Sequence, residues 1–188
     1  MRQYEQSGTP LTRFISAIVS FATASLAFSA AMCGASVFAT MQLNDAVSAL
    51  SRLFLMGVEP FMVTAALKTV INQRLVRLNC PHCAAPEQLE PDRAALLESR
   101  GMSTDRVQVG RGCEECGGTG VLGRKAIVEV LALTPELNDL VLQGASADEL
   151  QDAAVARGMR TLRHQALALA EQGTISLAEA LRATPPGR

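Results

Sequence analysis

Aromatic residues are scarce in this chain: tryptophan is absent, tyrosine occurs once, and aromatics make up 4% of the 188 residues. Neither sign of charge prevails, because 17 basic residues stand against 18 acidic ones and the net charge is -1. Nucleic-acid binding relies on a positive field and on aromatic surfaces that stack on bases. The composition therefore argues against nucleic acid as a partner, while the 48% hydrophobic content suits a buried core.

A phosphate-binding loop is also missing, since the pattern G-x-x-x-x-G-K-[ST] occurs nowhere in the sequence. In P-loop nucleotidases this loop supplies the backbone N–H groups around the phosphates, the phosphate lysine and the hydroxyl that binds magnesium. The chain is therefore not expected to be a self-sufficient nucleotide hydrolase.

Charged residues are absent from Phe14 to Asn44. The window Phe14 to Met32 has the length of a membrane span or of the apolar part of a signal peptide. It is weakly apolar, however, because it holds four serines, one threonine and six alanines. Export would also place paired thiols in an oxidising space. We expect an interior strand and helix from a partial domain, with a membrane-anchored protein as the alternative.

The cysteines form the most specific pattern. Four of the five lie in two C-x-x-C pairs, Cys80 with Cys83 and Cys113 with Cys116, separated by 29 residues. Two such pairs direct four thiolates at one tetrahedral ion, so the spacing predicts a closed, structural zinc site. Rubredoxin-like iron and redox dithiols are the alternatives.

The two histidines and the fifth cysteine receive ordinary roles, and His164 is expected to be a helix-face residue. His82 lies inside the first pair, but four thiolates already complete a tetrahedron, so we expect it to be solvated. Cys33 is expected to be a small buried apolar side chain among alanines and Gly34.

Periodicity and turn signals predict a mixed α/β chain. Helices are expected from about Asp45 to Met56, from Pro60 toward Asn79, and from Pro91 to Gly101. Strands are expected at 107–109 and from Ala126 to Leu133. Beyond this, Thr134-Pro135-Glu136 and the capping boxes Ser146-x-x-Glu149 and Ser176-x-x-Glu179 predict four short helices.

Several short sequence segments together resemble those of a known protein family. They are Asn44-Asp45-Ala46, Ser51-Arg52-Leu53, Met56-Gly57-Val58-Glu59-Pro60, Gln73-Arg74-Leu75-Val76-Arg77, Gly112-Cys113-Glu114-Glu115-Cys116, Thr119-Gly120, Gly123-Arg124, Glu129 and Gly158-Met159-Arg160-Thr161-Leu162-Arg163. From about Thr23 onward the chain resembles the C-terminal part of the type II secretion and type IV pilus assembly ATPases. Within that family the tetracysteine segment is typical of the assembly branch. The resemblance implies a cytoplasmic hexamer that docks on an inner-membrane platform protein and uses ATP with magnesium.

The resemblance extends to the N-terminal residues only in degenerate form. The family's charged positions around its Walker B strand would fall on Ala17, Val19 and Ser20. Its two histidine positions would fall on Ala35 and Gln42, and in that histidine box only Asn44 and Asp45 are retained. The resemblance thus implies a truncated member without its own catalytic groups.

The predicted organisation follows from these readings. Residues 1–43 are expected to be a strand-helix-strand remnant of a RecA-like P-loop ATPase core, residues 44–79 helices that close this core, residues 80–133 the zinc module with its following strand, and residues 134–188 a helical C-terminal subdomain. The predicted function is that of a noncatalytic assembly subunit. The enzyme alternative is a subunit that completes a nucleotide site in trans through Arg74 or Arg77, because an arginine finger needs no loop of its own.

Overall fold

The computed structural model describes residues 12–15 and 20–184 of the chain. Its strands are β1 (Thr12–Ile15), β2 (Ser36–Ala39), β3 (Thr69–Asn79), β4 (Ala84–Pro86), β5 (Gln108–Gly110) and β6 (Val121–Ala132). Its helices are α1 (Phe21–Met32), α2 (Val47–Leu55), α3 (Pro60–Ala66), α4 (Pro91–Glu98), α5 (Pro135–Leu142), α6 (Ala147–Ala156), α7 (Leu162–Glu171) and α8 (Leu177–Ala183).

The chain divides into two compact units, each discontinuous in sequence. The first contains the described residues up to Val70 together with Leu131–Ala154. The second contains Ile71–Val130 together with the described residues from Val155 onward. The strands pair as β1 with β2, β3 with β6, and β4 with β5.

The first unit begins with a strand, a helix and a strand. β1 and β2 pair in parallel, with Thr12 opposite Ser36 and Ile15 opposite Ala39, and a parallel pair requires a crossover such as α1. The predicted burial of Cys33 is wrong, because this residue follows the last turn of α1 and is exposed. Among the described residues, no helix is both long and apolar enough for a membrane crossing.

Helix α2 forms where the sequence predicted it. The Asp45 carboxylate accepts the backbone N–H of Ser48 at 2.7 Å, which satisfies an N–H group that has no partner within the helix. Leu50 and Leu53 are buried on one face, and Gly57 follows the helix with a positive φ of 90°.

The predicted helix from Pro60 to Asn79 is wrong beyond Ala66, because Thr69–Asn79 is strand β3. Along β3 exposed and inward residues alternate: Ile71 is exposed, whereas Val76 is buried. Backbone pairing with β6 overrides the helical spacing of the apolar residues. The strand predicted from Ala126 to Leu133 is present and begins earlier, at Val121.

The core of the second unit lies between the β3–β6 sheet and the helices α4, α7 and α8. Val76 and Ile127 supply the inward face of the sheet. The helices contribute Leu97, Leu162, Ala166, Leu167, Ala170, Leu177 and Ala180. The core thus fixes β3 and β6, and the cysteine loops adjoin the end of β3 and the start of β6.

The helix starts in the tail follow the sequence signals with one exception. Ser146 and Glu149 form the predicted reciprocal capping box. Ser176 Oγ likewise accepts the Glu179 backbone N–H at 3.2 Å. The Glu179 carboxylate, however, accepts hydrogen bonds from Arg77 and Arg182, so the Ser176 signal marks a helix start without a complete capping box.

Glu179 is a buried carboxylate held between two arginines. Its side chain is 2% exposed and lies 2.7 Å from both Arg77 Nη2 and Arg182 Nη2. It also accepts the Arg77 backbone N–H at 2.9 Å. Burial alone would raise the pKa of Glu179, but the hydrogen bonds from Arg182 and Arg77 lower it to about 2.

Glu179→Gln is expected to destabilise the protein by about 2 kcal/mol at neutral pH, because two arginines lose their anionic partner. The folded-state pKa lies below the ordinary value of 4.5, so the Glu179 contribution is complete above about pH 5 and declines as the pH falls toward 2. Urea unfolding of both proteins at several pH values measures this.

The control is Glu149→Gln, which changes an exposed capping carboxylate and is expected to cost less than about 1 kcal/mol. A difference between wild type and Glu179→Gln that stays constant as the pH falls from 5 toward 3 would contradict the assignment.

Candidate metal centre

Two short loops present the four paired cysteines. Cys80 directly follows β3 and Cys83 directly precedes β4, while Cys113 and Cys116 lie between β5 and β6. β4 and β5 form an antiparallel pair in which Ala84 lies opposite Gly110. Because β4 directly follows the first loop and β5 shortly precedes the second, their pairing brings the two loops together.

The four sulfur atoms fit one tetrahedral ion. The Sγ–Sγ distances are 3.8 Å for Cys80–Cys113, 3.9 Å for Cys83–Cys116 and 3.7 Å for Cys113–Cys116, and all four atoms lie within 4.8 Å of one another. Four metal–sulfur bonds of about 2.3 Å produce a tetrahedron with edges of about 3.8 Å. The cysteines are free thiols rather than disulfides, so the arrangement suits a metal ion.

Backbone N–H groups point at two of the sulfurs. Gly112 N donates to Cys83 Sγ, and both Cys113 N and Gly120 N donate to Cys116 Sγ, each at 3.2 Å. Donors aimed at sulfur stabilise the thiolate form, which is the form that binds metal. The loops therefore stabilise negative charge where a cation would be held.

The thiol pKa values reflect these contacts. The hydrogen bond from the Cys113 backbone, with a second from Gly120, lowers the pKa of Cys116 to about 6. A backbone hydrogen bond with Cys116 also lowers the pKa of Cys113, but desolvation and the neighbouring thiols outweigh it and raise this pKa to about 11. Cys116 is thus the preferred thiolate of this pair, and a cation would favour ionisation of Cys113 as well.

Glycines allow the strand ends around the cysteines to approach closely. A Cβ atom on Gly110 would lie 2.6 Å from the Gly120 carbonyl carbon, and one on Gly112 would lie 2.6 Å from the Gly118 carbonyl oxygen. The Gly120 carbonyl oxygen also accepts the Cys80 backbone N–H at 2.9 Å. The same close approach therefore positions Cys80 and Cys116, which adjoin Gly120 through hydrogen bonds.

Asn79 connects the metal site to the helical tail. Its Nδ2 donates to the carbonyl oxygens of Gln108 and Gly173, each at 2.9 Å, and its backbone N–H donates to Thr174 O at 2.9 Å. Asn79 is 8% exposed and immediately precedes Cys80. Buried amide hydrogen bonds of this kind are costly to leave unmade, so the position of Cys80 depends on the loop between α7 and α8.

The other residues singled out from the sequence occupy varied positions. His82 is exposed in the turn between Cys80 and Cys83, while His164 is exposed on α7. Both candidate arginines, Arg74 and Arg77, lie on β3, and Arg77 binds Glu179. Ser20 precedes α1 as its N-cap residue.

Ala17 and Val19, the other two positions compared with the family's Walker B region, lie outside the described residues.

The structural roles of Asn79, Gly110 and Glu129 were not predicted from the sequence, although Glu129 is among the residues that carry the family resemblance. The buried Glu129 carboxylate accepts the Leu162 backbone N–H at 3.1 Å and so helps to begin α7. Asn79 immediately before the first cysteine and Gly110 shortly before the second pair offered positional hints, but their partners lie 10 or more residues away in the chain.

The family model described as "Type II/IV secretion system protein" matches residues 17–182. The chain belongs to this family. The resemblance inferred from the sequence phrases is thereby confirmed, and so is the assignment to the secretion and pilus assembly ATPases at the level of the family.

Individual relatives come from both systems. The chain is 44% identical over 165 residues to a type IV pilus assembly ATPase, PilB, of Thermus thermophilus, covering 86% of the chain and 18% of that protein. It is 38% identical over 179 residues to PilB of Myxococcus xanthus, covering 93% and 31%. It is 32% identical over 162 residues to type II secretion system ATPase E of Vibrio cholerae, covering 86% and 32%. The chain thus spans less than a third of these relatives.

Solved structures support the fold. The pilus retraction motor PilT with bound ADP aligns with a TM-score of 0.62 at 20% identity, covering 94% of this chain and 40% of that one. The ATPase DotB of Yersinia pseudotuberculosis aligns with the same TM-score and identity, covering 93% and 37%. The predicted mixed α/β class is therefore confirmed.

Proposed function

We propose that this chain forms the zinc-binding, noncatalytic interaction region of a type II secretion or type IV pilus assembly ATPase and does not hydrolyse ATP by itself. The sulfur tetrahedron carries the proposal. Its edges of 3.7 to 3.9 Å suit four metal–sulfur bonds, and family membership supplies the setting.

Zinc fits this site in a structural role. Four thiolates complete the tetrahedral shell of zinc and leave no open position for a water or a substrate. When bound, the ion would contribute folding energy and no reaction step. Cys80, Cys83, Cys113 and Cys116 would hold it, and N–H groups from Gly112, Cys113 and Gly120 would stabilise the sulfur charge.

The cellular setting and the partners that we propose are based on membership of this family. The relatives named as pilus assembly and secretion ATPases are 32 to 44% identical to the chain, which supports assembly with ATPase subunits. A cytoplasmic hexamer docked peripherally on an inner-membrane platform protein is the arrangement we propose. ATP and magnesium enter only through the other parts of such an assembly, because these 188 residues contain no phosphate-binding loop.

The purified chain is expected to carry one zinc per molecule and to release phosphate from ATP at least ~100-fold more slowly than an intact family ATPase, because no loop surrounds the phosphates. Metal analysis and phosphate release on one preparation measure both properties, with the intact Thermus thermophilus relative as the positive control. Turnover comparable to that relative would contradict the noncatalytic proposal, and folded metal-free protein would contradict the zinc proposal.

A second candidate function is completion of a nucleotide site in trans. The Arg77 side chain is 48% exposed although it binds Glu179, and Arg74 lies on the same strand. Under this alternative, Arg74→Gln or Arg77→Gln in this chain would lower ATP turnover by a mixture with a loop-bearing family member. Turnover that is unaffected by the chain or by either substitution would rule it out.

A further inference from the structure

A groove of about 210 Å³ lies between β6 and α7, within the second unit. Lys125 and Ala126 line it from β6, Arg160 lines it from the loop before α7, and His164 and Gln165 line it from α7 itself. We name it the β6–α7 groove. It is smaller than the roughly 300 to 1,000 Å³ of common small-molecule sites, so it suits individual side chains of a peptide better than a cofactor.

One wall of the groove is the outer edge of β6, whose only strand partner among the described residues is β3. The Leu133 N–H, directly after β6, donates to Lys68 O, directly before β3, at 2.9 Å, whereas Gly123 lies beside Leu78 at the other end of the pair. The two strands are therefore antiparallel. Backbone groups of successive residues then point alternately toward the partner strand and away from it. Odd-numbered residues of β6 face β3, and even-numbered ones direct their N–H and C=O groups to the outer edge.

Gln165 makes the hydrogen bonds that an added strand would make at this edge. Its Nε2 donates to Val128 O at 2.6 Å, and its Oε1 accepts the Val128 N–H at 3.5 Å. A side-chain amide has the same kinds of donor and acceptor as a backbone peptide group, so the edge already accommodates one amide. Ala126, the preceding residue that points outward, is exposed and lines the groove. A peptide backbone could thus pair at Ala126, and at Val128 once Gln165 moves aside.

The charged side chains around the groove are basic. Lys125 and Arg160 are both exposed, and within the described part of the chain no carboxylate lines the groove. Glu129, the acidic residue of β6, is buried and accepts the Leu162 N–H instead. A segment with carboxylates would therefore be attracted to the groove, and a basic segment would be repelled.

Two other occupants suit these features less well. A second copy of the chain, added edge to edge, would bring the basic side chains of both grooves together without carboxylates between them. A small anion would meet Lys125 and Arg160 but would leave the backbone groups at the edge of β6 unused.

We propose that the β6–α7 groove binds an extended acidic segment of a partner protein, which adds as a strand to the outer edge of β6. Its backbone would pair with Ala126 and, after displacement of Gln165, with Val128. Its carboxylates would contact Lys125 and Arg160. Backbone pairing would supply affinity and the two cations specificity, as in other cases of strand addition. This inference goes beyond the proposed function, because the groove lies outside the tetracysteine group.

The binding experiment uses the purified full chain and a fluorescein-labelled peptide of about six residues in which glutamate and valine alternate. Fluorescence anisotropy should give saturable binding with a Kd below about 1 mM, and the affinity should fall as salt is added. The same peptide with lysine in place of glutamate should bind at least about tenfold more weakly. Equal binding of the acidic and basic peptides would overturn the proposal.

Two N-methylated peptides test whether the peptide binds as a strand. One is methylated at the backbone nitrogens of the valines and the other at those of the glutamates. Only alternate N–H groups of an added strand point at its neighbour, so one of these peptides should lose affinity at least about tenfold more than the other. Unchanged affinity of both would contradict strand addition.

Substitutions in the groove test the assigned contacts. Lys125→Gln and Arg160→Gln should each weaken binding of the acidic peptide at least about threefold. The matched control is Arg93→Gln, which removes the same charge from an exposed residue of α4 outside the groove and should leave the Kd unchanged. Gln165→Ala should strengthen binding at least about threefold, because the Val128 groups are then free of their competitor. Equal affinities of Arg160→Gln and Arg93→Gln would overturn the assignment.

Hydrogen exchange followed by NMR tests the wild-type chain without any substitution. The acidic peptide should slow exchange of the Ala126 amide hydrogen, which points away from β3. Binding that leaves this exchange rate unchanged would overturn strand addition. Competition by free glutamate as effective as that by the peptide would replace the proposed occupant with a small anion.

Two further outcomes separate this inference from its rivals and from the proposed function. Self-association of the chain that increases in Gln165→Ala, measured by sedimentation, would overturn the proposed occupant in favour of a second copy. A chain that carries zinc yet binds none of the peptides at about 1 mM would overturn the peptide inference and leave the zinc assignment standing.

Discussion

Replacing Cys80 or Cys113 by serine is expected to release the metal and to destabilise the second unit by at least about 3 kcal/mol, because metal binding and folding of this module share one free energy. Metal analysis after gel filtration and hydrogen exchange followed by mass spectrometry measure the two effects. The cysteine spacing alone would confine the loss of protection to residues 80–120. The Asn79 contacts with Gly173 and Thr174 extend the expected loss to the connection between α7 and α8.

The matched control is Cys33→Ser, which changes the exposed cysteine after α1. It should retain the full metal content and unfold at the same urea concentration as the wild type. Equal metal loss in Cys33→Ser and Cys113→Ser would show that the metal is not held by the tetracysteine group.

Gly110→Ala is expected to be the most disruptive change outside the cysteines. Its new methyl group would overlap the Gly120 backbone, and the Gly120 carbonyl oxygen accepts the Cys80 N–H. Gly110 does not have a left-handed φ, so the cost arises from this overlap. We expect a loss of at least about 3 kcal/mol and at least tenfold weaker zinc affinity, measured by urea unfolding and by competition with a chromogenic chelator.

Gly117→Ala provides the matched control within the same loop. Gly117 has a φ of 58°, and a Cβ there would meet nothing within 4 Å. Its cost should be limited to the left-handed backbone, about 1 kcal/mol. If Gly110→Ala is no more destabilising than Gly117→Ala, the close approach of the two glycines does not constrain the site.

The sequence predicted the convergence of the four paired cysteines because the information that specifies it is local. Each C-x-x-C pair places two sulfurs within one turn, and only the pairing of β4 with β5 is needed to bring the turns together. The glycine contact escaped prediction because Gly110 and Gly120 meet through the tertiary fold. Nothing in their immediate neighbours specifies that approach.

The misplaced boundary at β3 has a different cause. Leu67, Val70, Ile71 and Leu75 match a helical spacing, while Thr69, Val70 and Ile71 also have the β-branched shape that strands favour. Pairing with β6 decides between the two, and the sequence around residue 70 does not contain that information. Ile71 and Leu75 are then exposed rather than buried.

Glu179 combines a helix-start position, which the local sequence predicts, with a side-chain contact to a residue far away in the chain. Its position three residues after Ser176 predicted a capping role, and the helix does begin there. Its side chain instead meets Arg77, which lies 102 residues earlier in the chain. Separations of this size lie outside the reach of local patterns.

The separation of 102 residues between Arg77 and Glu179 predicts the order in which parts of the second unit fold during synthesis. Cys80 and Cys113 are 33 residues apart, so the metal loops can close while residues beyond β6 are still being added. The bonds from Arg77 to Glu179 must await α8, and closing such a long stretch of chain has a larger entropic cost. In refolding experiments we therefore expect metal capture to precede the burial of Glu179.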